Sequence, residues 1–270
     1  QIVYTISKDN GTTWSKPEPV HKDRTPQTVR GFFDATVLPN GEIGVAYLND
    51  IAGQKHQRDL RFVASEGNTF GTEHIIDPFV CDCCNVNLLT DQNKKLNIYY
   101  RENENNTRDI ATMTSSDNGK TFSKGKILFK DNWQIKGCPH SGPSSATYGG
   151  NNLITWFSGT ENEPGIRVVT GQGKKLLVLS EPSAKNAFAV AANKSAVVLW
   201  EENKSTTDVP QTQVGYKHIK SDGNPATIWV KGSENGTNAT GVVVGNKLVV
   251  AYEVKREGAK TAMSVSTVDL

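Results

Sequence analysis

Apolar residues in this chain gather into short runs of strand length: Ile43 to Leu48, Leu96 to Tyr100, Leu153 to Phe157, Ala196 to Trp200 and Leu248 to Tyr252. Each run follows a short turn: Pro39-Asn40-Gly41, Asp91-Gln92-Asn93, Gly149-Gly150-Asn151, Ala192-Asn193-Lys194 or Gly245-Asn246. Another apolar segment lies upstream of the turn, and a third strand candidate lies downstream of the run. Alternation broken by Asn-Gly-type turns is what antiparallel hairpins demand. The runs start 43 to 57 residues apart, close to the ~40–50 residues of a repeated four-stranded unit. Helical stretches and low-complexity segments are absent, so the pattern predicts an all-β chain of repeating sheets.

A second repeat is laid over the first. Ser7-Lys8-Asp9-Asn10-Gly11-Thr12-Thr13-Trp14 returns as Ser115-Ser116-Asp117-Asn118-Gly119-Lys120-Thr121-Phe122. Asp-Asn-Gly is a tight-turn sequence, in which Gly supplies the positive φ and the Asp carboxylate accepts hydrogen bonds from its own turn. The Ser and Thr hydroxyls tie the two ends together, and Trp14 or Phe122 is expected to bury itself as an apolar plug. The string resembles the Asp-box, or BNR, repeat of sialidase-like β-propellers, where it links the third and fourth strands of a blade. The resemblance makes Ser7, Asp9, Gly11, Trp14, Ser115, Asp117, Gly119 and Phe122 structural residues. It also implies an all-β, six-bladed β-propeller forming a single domain over residues 1–270.

The blades then fall at about 32–77, 80–131, 142–180, 185–231 and 238–270. A shortened box, Ser65-Glu66-Gly67-Asn68-Thr69-Phe70, has lost its Asp, and Ser221-Asp222-Gly223-Asn224 reads as a worn remnant. Residues 1–22 supply only the third and fourth strands of a blade. The first blade is therefore expected to be incomplete, with a segment missing upstream.

Composition narrows the partners. A length of 270 residues suits one large all-β domain. The formal charge is only +2, and the charged residues are interleaved along the whole chain, which suggests neither nucleic acid nor an anionic membrane as partner. No apolar run approaches the ~20 residues of a transmembrane helix, and no signal pattern opens the chain.

The four cysteines, at 81, 83, 84 and 138, are clustered. In a propeller the innermost strand of every blade starts at one face, so the residues just before those strands converge there. These are Arg30 to Asp34, Cys81 to Asn85, Gly137 to Gly142, Ala184 to Asn186 and Asn235 to Asn238, which puts both cysteine groups on neighbouring blades. Two chemistries fit. One is a disulfide from Cys138 to Cys81, Cys83 or Cys84 in an oxidising compartment. The other is a thiolate and imidazole site for Cu(I) or Zn(II), drawing on Cys81, Cys83, Cys84, Cys138 and His140. Arg101 ends the second strand of the cysteine-bearing blade and Arg108 opens the third. Such a pair can hold a carboxylate or sulfate bidentately, or Arg108 can pair with Asp109 within the loop.

The block Val80 to Cys84, Tyr99-Tyr100-Arg101, Thr107 to Ile110 and Trp133 to Pro139, with Gly142-Pro143, resembles a subgroup of bacterial sialidase-like proteins. Family resemblance requires of an exo-sialidase three arginines, a Tyr nucleophile paired with a Glu, and an Asp acid/base, the first arginine lying in an Arg-Ile-Pro motif. That motif is absent. Arg30, Arg101 and Arg108 are candidates for the triad, Asp34 for the acid, and Tyr99 or Tyr100 for the nucleophile, without a position-by-position match. The lack of a matched catalytic set points instead to an extracytoplasmic module, periplasmic, outer-membrane-attached or secreted, that binds a glycan or a protein partner, as a recognition module or an accessory subunit of an envelope complex. Arg30, Asp34, Arg101, Arg108 and His140 are its expected ligand-binding residues, and no cofactor is required. A sialidase-type glycoside hydrolase and a copper- or zinc-binding propeller are the alternatives.

Overall fold

The computed structural model describes residues 1–205, 211–220, 225–255 and 261–270. Among them every regular element is a strand, and no helix is long and apolar enough to cross a membrane. The chain divides into two compact units, residues 1–127 with 135–140 and residues 128–134 with 141–270.

The first unit opens with the hairpin β1 (Val3–Tyr4) and β2 (Glu18–Pro19). A sheet follows from β3 (Arg30–Val37), β4 (Ile43–Asp50), β5 (Arg58–Glu66) and β6 (Thr69–Phe70), with β7 (His74–Val80) also paired to β5. The next sheet is β8 (Asn87–Thr90), β9 (Leu96–Arg101), β10 (Ile110–Ser115) and β11 (Lys126–Phe129), in which the division between the units falls. In the second unit β12 (Ser144–Tyr148), β13 (Asn151–Ser158), β14 (Gly165–Thr170) and β15 (Lys175–Leu179) pair in chain order. So do β16 (Lys185–Ala192), β17 (Ser195–Asn203), β18 (Thr212–Ile219) and β19 (Ile228–Trp229). A last sheet holds β20 (Gly236–Val244), β21 (Lys247–Val254) and β22 (Ala262–Asp269).

All five apolar runs become the second strand of their sheet: β4, β9, β13, β17 and β21. β4, β9, β13 and β17 have a neighbour on each side and are buried along nearly their whole length, which favours continuous apolar runs over alternation, whereas β21 alternates buried with half-buried residues. All six residues of β9 are buried. The first strands are joined by side chain to backbone across sheets. In the first unit the Leu88 N–H donates to Asp34 Oδ2 at 2.8 Å, and in the second the Ala189 N–H donates to Ser144 Oγ at 3.0 Å.

Both full boxes form the same staple. Ser7 Oγ donates to Asp9 Oδ1 at 2.8 Å, and Asp9 accepts from Thr13 N at 2.8 Å and Thr13 Oγ1 at 2.6 Å. Ser115, Asp117 and Thr121 repeat this at 2.7, 3.0 and 2.6 Å. These bonds hold both carboxyls well below the usual carboxylate range, Asp9 at about 2. The shortened box replaces its lost Asp from elsewhere: Glu42 accepts from the Ser65 hydroxyl and from the Gly67 N–H. The Ser221–Asn224 remnant lies outside the described residues.

The apolar plug forms in two boxes of three. Phe122 packs edge-on against Phe62 at 5.1 Å, and Phe70 against Tyr4 at 4.9 Å, each reaching an aromatic of the strands before it. Trp14 is 62% exposed, contrary to expectation. Among the described residues no aromatic ring stands against it, and its indole N–H is donated back to the Gly11 carbonyl at 3.2 Å. The two box glycines therefore carry different loads. Both have positive φ, but a Cβ on Gly119 collides with the Phe62 ring, whereas the atom nearest a Cβ on Gly11 is 3.8 Å away. Gly119→Ala should cost about 2–4 kcal/mol of stability, through backbone strain and overpacking against Phe62, and Gly11→Ala about 1–2 kcal/mol, through strain alone. Equal losses in urea titrations of the two variants would show that the Phe62 contact contributes nothing.

Candidate functional site

Register places one chemistry-bearing end on each sheet of the first unit. Arg30 opens β3 opposite Asn49, Asp50 ends β4 opposite Arg58, and Arg58 stands opposite Val80 at the end of β7. The chain then enters Cys81-Asp82-Cys83-Cys84 before β8. The Cys81 N–H donates to the Arg101 carbonyl at 3.0 Å, and the Val86 N–H to the Phe32 carbonyl at 3.1 Å, pinning the segment at both ends. Residues 135–140 return to the same place, with the Ile135 N–H on the Asn106 carbonyl at 3.0 Å. Phe32 packs on the cysteines with a φ of +51°, where a bulky side chain is a genuine outlier.

Cys81, Cys83 and Cys84 are buried, and Cys138 is exposed. Cys81 Sγ lies 3.4 Å from Cys84 Sγ and 3.9 Å from Cys83 Sγ. The ligand atoms of Cys83, Cys138 and His140 lie within 4.8 Å of one another. The expected disulfide is not formed: all four thiols are free. These separations far exceed the ~2.05 Å of an S–S bond, and the Cys138 sulfur is turned to Asp82 Oδ1, at 3.8 Å. Hydrogen bonds from the Cys83 and Cys84 thiols, and then the positive charge of Arg108, draw Cys81 far below the usual thiol range. The same sharing pushes Cys83 and Cys84 up, because of three adjacent sulfurs only the first to ionise is favoured.

The arginines are internal. Arg101 is 1% exposed, with its Nη1 on the Arg108 carbonyl; Arg108 is 6% exposed, and its Nε and Nη1 have no hydrogen-bond partner. Arg30 is buried against Asp23 Oδ2 at 3.0 Å. Asp34 is held by Asn87 Nδ2 at 2.9 Å and by the Leu88 N–H, and burial raises its pKa. Tyr99 and Tyr100 are buried, and the Tyr100 hydroxyl donates to Asp77 Oδ2 at 2.8 Å. The structure thus brings the cysteines and His140 together, and spends Arg30 on Asp23 in the loop before β3 and Asp34 on a tie to β8 of the next sheet.

Beside the cysteines lies a cleft of about 770 Å³, lined by Thr25 to Thr28, Asp50 to His56, Arg58 and Asp82. Arg58 Nε pairs with Asp50 Oδ1 at 2.8 Å, its Nη1 donates to the Asp82 carbonyl, and its guanidinium covers the Phe32 ring at 4.9 Å. Asp82 points one carboxylate oxygen at Cys138 and the other at His56 Nδ1, 3.9 Å away. Sequence reasoning passed over Asp50, His56 and Arg58, and took Asp82 only as part of the converging Cys81 to Asn85 segment. The rule that picked Arg101 and Arg108, the end of the second strand and the start of the third, selects Asp50 and Arg58 when applied to the preceding sheet.

The family model described as BNR repeat-like domain matches residues 1–228. The chain belongs to this family. Among curated proteins no match is found. Among solved structures it is similar to the Hadza microbial sialidase Hz136, with a TM-score of 0.56 at 13% identity over 98% of this chain and 58% of that one. It is also similar to an ulvan lyase of polysaccharide lyase family PL25, with a TM-score of 0.54 at 13% identity over 87% of this chain and 66% of that one. The same lyase has been solved bound to -[GlcA(1-4)Rha3S]-. The chain therefore spans less than two thirds of the length of either protein. At such identities the likeness shows the fold, a sialidase-like β-propeller. In this BNR repeat-like chain the Asp-boxes staple hairpins, and the cysteines and cleft lie at the strand ends of the first unit.

One carboxyl near the arginines titrates in an unusual range. Burial pushes Glu102 up to about 7, with Asp77 and Glu104 adding to the effect. Its folded pKa exceeds the ~4.3 of an unfolded Glu, so its contribution to stability is fully present below about pH 4 and is lost as pH rises through 7. Glu102→Gln should leave the melting temperature unchanged at pH 4 and raise it above wild type at pH 8. A difference independent of pH would sink this assignment.

Proposed function

We propose that the chain recognises a carbohydrate outside the cytoplasm, in the cleft bounded by Thr28, Asp50, His56, Arg58 and Asp82. The cleft itself carries this reading: its volume of about 770 Å³ suits a small oligosaccharide, and its wall carries both donors and acceptors. Sugar hydroxyls need both. Asp50 and Asp82 accept, Lys55 and Arg58 donate, and Thr25, Thr28 and Gln54 do either. Arg58 is held by Asp50, the Asp82 carbonyl and the Phe32 ring, so little ordering remains for a ligand to impose on it. Lys55 and Arg58 in the lining favour an acidic sugar, a uronate or a sulfate ester.

Two proteins that share the fold bear the names of carbohydrate-processing enzymes, which supports a glycan over an envelope protein as ligand. Recognition is favoured over sialidase-type hydrolysis, because Arg30, Arg101, Tyr99 and Tyr100 are buried within the sheets and none of them lines the cleft.

Titration calorimetry with a glucuronate and 3-sulfo-rhamnose oligosaccharide, and with sialyllactose, checks this reading. Saturable binding is expected for at least one. Lys55→Ala and His56→Ala should each weaken it about tenfold, the loss of one charge-assisted contact, at an unchanged melting temperature. No heat with either sugar, or wild-type affinity in both variants, would reject the cleft.

A further inference from the structure

The cysteine cluster has a geometry that the glycan reading does not use. Three sulfurs each about 2.3 Å from a common ion stand about 4 Å apart. Cys81 and Cys83 are 3.9 Å apart, and Cys81 and Cys84 3.4 Å. A second triangle, Cys83, Cys138 and His140, has all its ligand atoms within 4.8 Å. The two triangles share Cys83.

We propose that these five side chains form a copper(I) site, entered from the surface at Cys138 and His140 and continuing inward through Cys83 to Cys81 and Cys84.

Donor chemistry selects the metal. Thiolates and an imidazole are soft or borderline ligands, and soft thiolates favour Cu(I). Structural zinc takes four ligands in a tetrahedron, whereas each triangle here offers three, which a d¹⁰ monovalent ion accepts. Cys138 and His140 are exposed while Cys81, Cys83 and Cys84 are buried, so an ion gains entry at the rim and is shielded from water within. Charge is balanced from behind. Arg108 is buried with Nε and Nη1 lacking partners, and a metal-thiolate cluster carries net negative charge. Binding replaces each S–H with an S–Cu bond and releases the proton to solvent, with no electron transferred.

The site is tested on the whole chain, reduced and kept anaerobic, by titration with Cu(I) supplied as its acetonitrile complex against the chromophoric chelator bathocuproine disulfonate. Zn(II) is titrated in parallel. The chain should withdraw Cu(I) from the chelator and bind it in preference to Zn(II). Cys138→Ser and His140→Ala alter exposed residues, so their melting temperatures should match wild type while Cu(I) affinity falls about 10–100-fold, at least the loss typical of a group that supports a metal ligand. Cys83→Ser, which removes the shared ligand, should lose more than either. Failure to compete for Cu(I), preference for Zn(II), or wild-type copper affinity in both exposed variants overturns the proposal. Because the cleft is read with sugars and this site with metal, either result leaves the other standing.

Discussion

The structure depends on strands that are buried on both faces. β17 buries Val197, Val198, Leu199 and Trp200 almost completely, and β13 does the same with Leu153, Ile154 and Trp156. Each such apolar side chain contributes ~1.5–3 kcal/mol, against ~0–1 for an exposed ion pair such as Lys247 with Asp269. Packing of the second strands therefore decides the fold, and surface charge does little. Turns and boxes have the smaller task of holding hairpins in register so that these strands meet their neighbours.

That hierarchy explains what could be read from sequence. The second strands are continuous apolar runs and were visible as such; β22, with alternate residues exposed, gives a weaker pattern. The boxes were legible because their bonds are local, each spanning only two to four residues. The repair of the shortened box was not, because Glu42 reaches Ser65 from 23 positions upstream and nothing in the linear string marks the pairing. The exposure of Trp14 was hidden for the same reason: a plug needs a partner from another element.

The site was half legible. Placing Cys81 to Cys84 and Cys138 to His140 together followed from where first strands begin. Reading Arg30 and Asp34 as ligand-facing failed to anticipate their tertiary partners: Asp23 for Arg30, and the Leu88 N–H for Asp34. A charged residue at a strand end looks alike whether it meets solvent or the next sheet, and only the neighbouring backbone tells the two apart. Asp82 was overshadowed by the cysteines on either side of it.

Asp82 has one oxygen 3.8 Å from Cys138 Sγ and the other 3.9 Å from His56 Nδ1, so a single carboxylate stands between the thiols and the cleft. Any change of charge on one side alters how strongly that carboxylate attracts the other. Linkage makes such an influence mutual: the factor by which occupancy of the thiols changes affinity in the cleft equals the factor by which occupancy of the cleft changes affinity at the thiols.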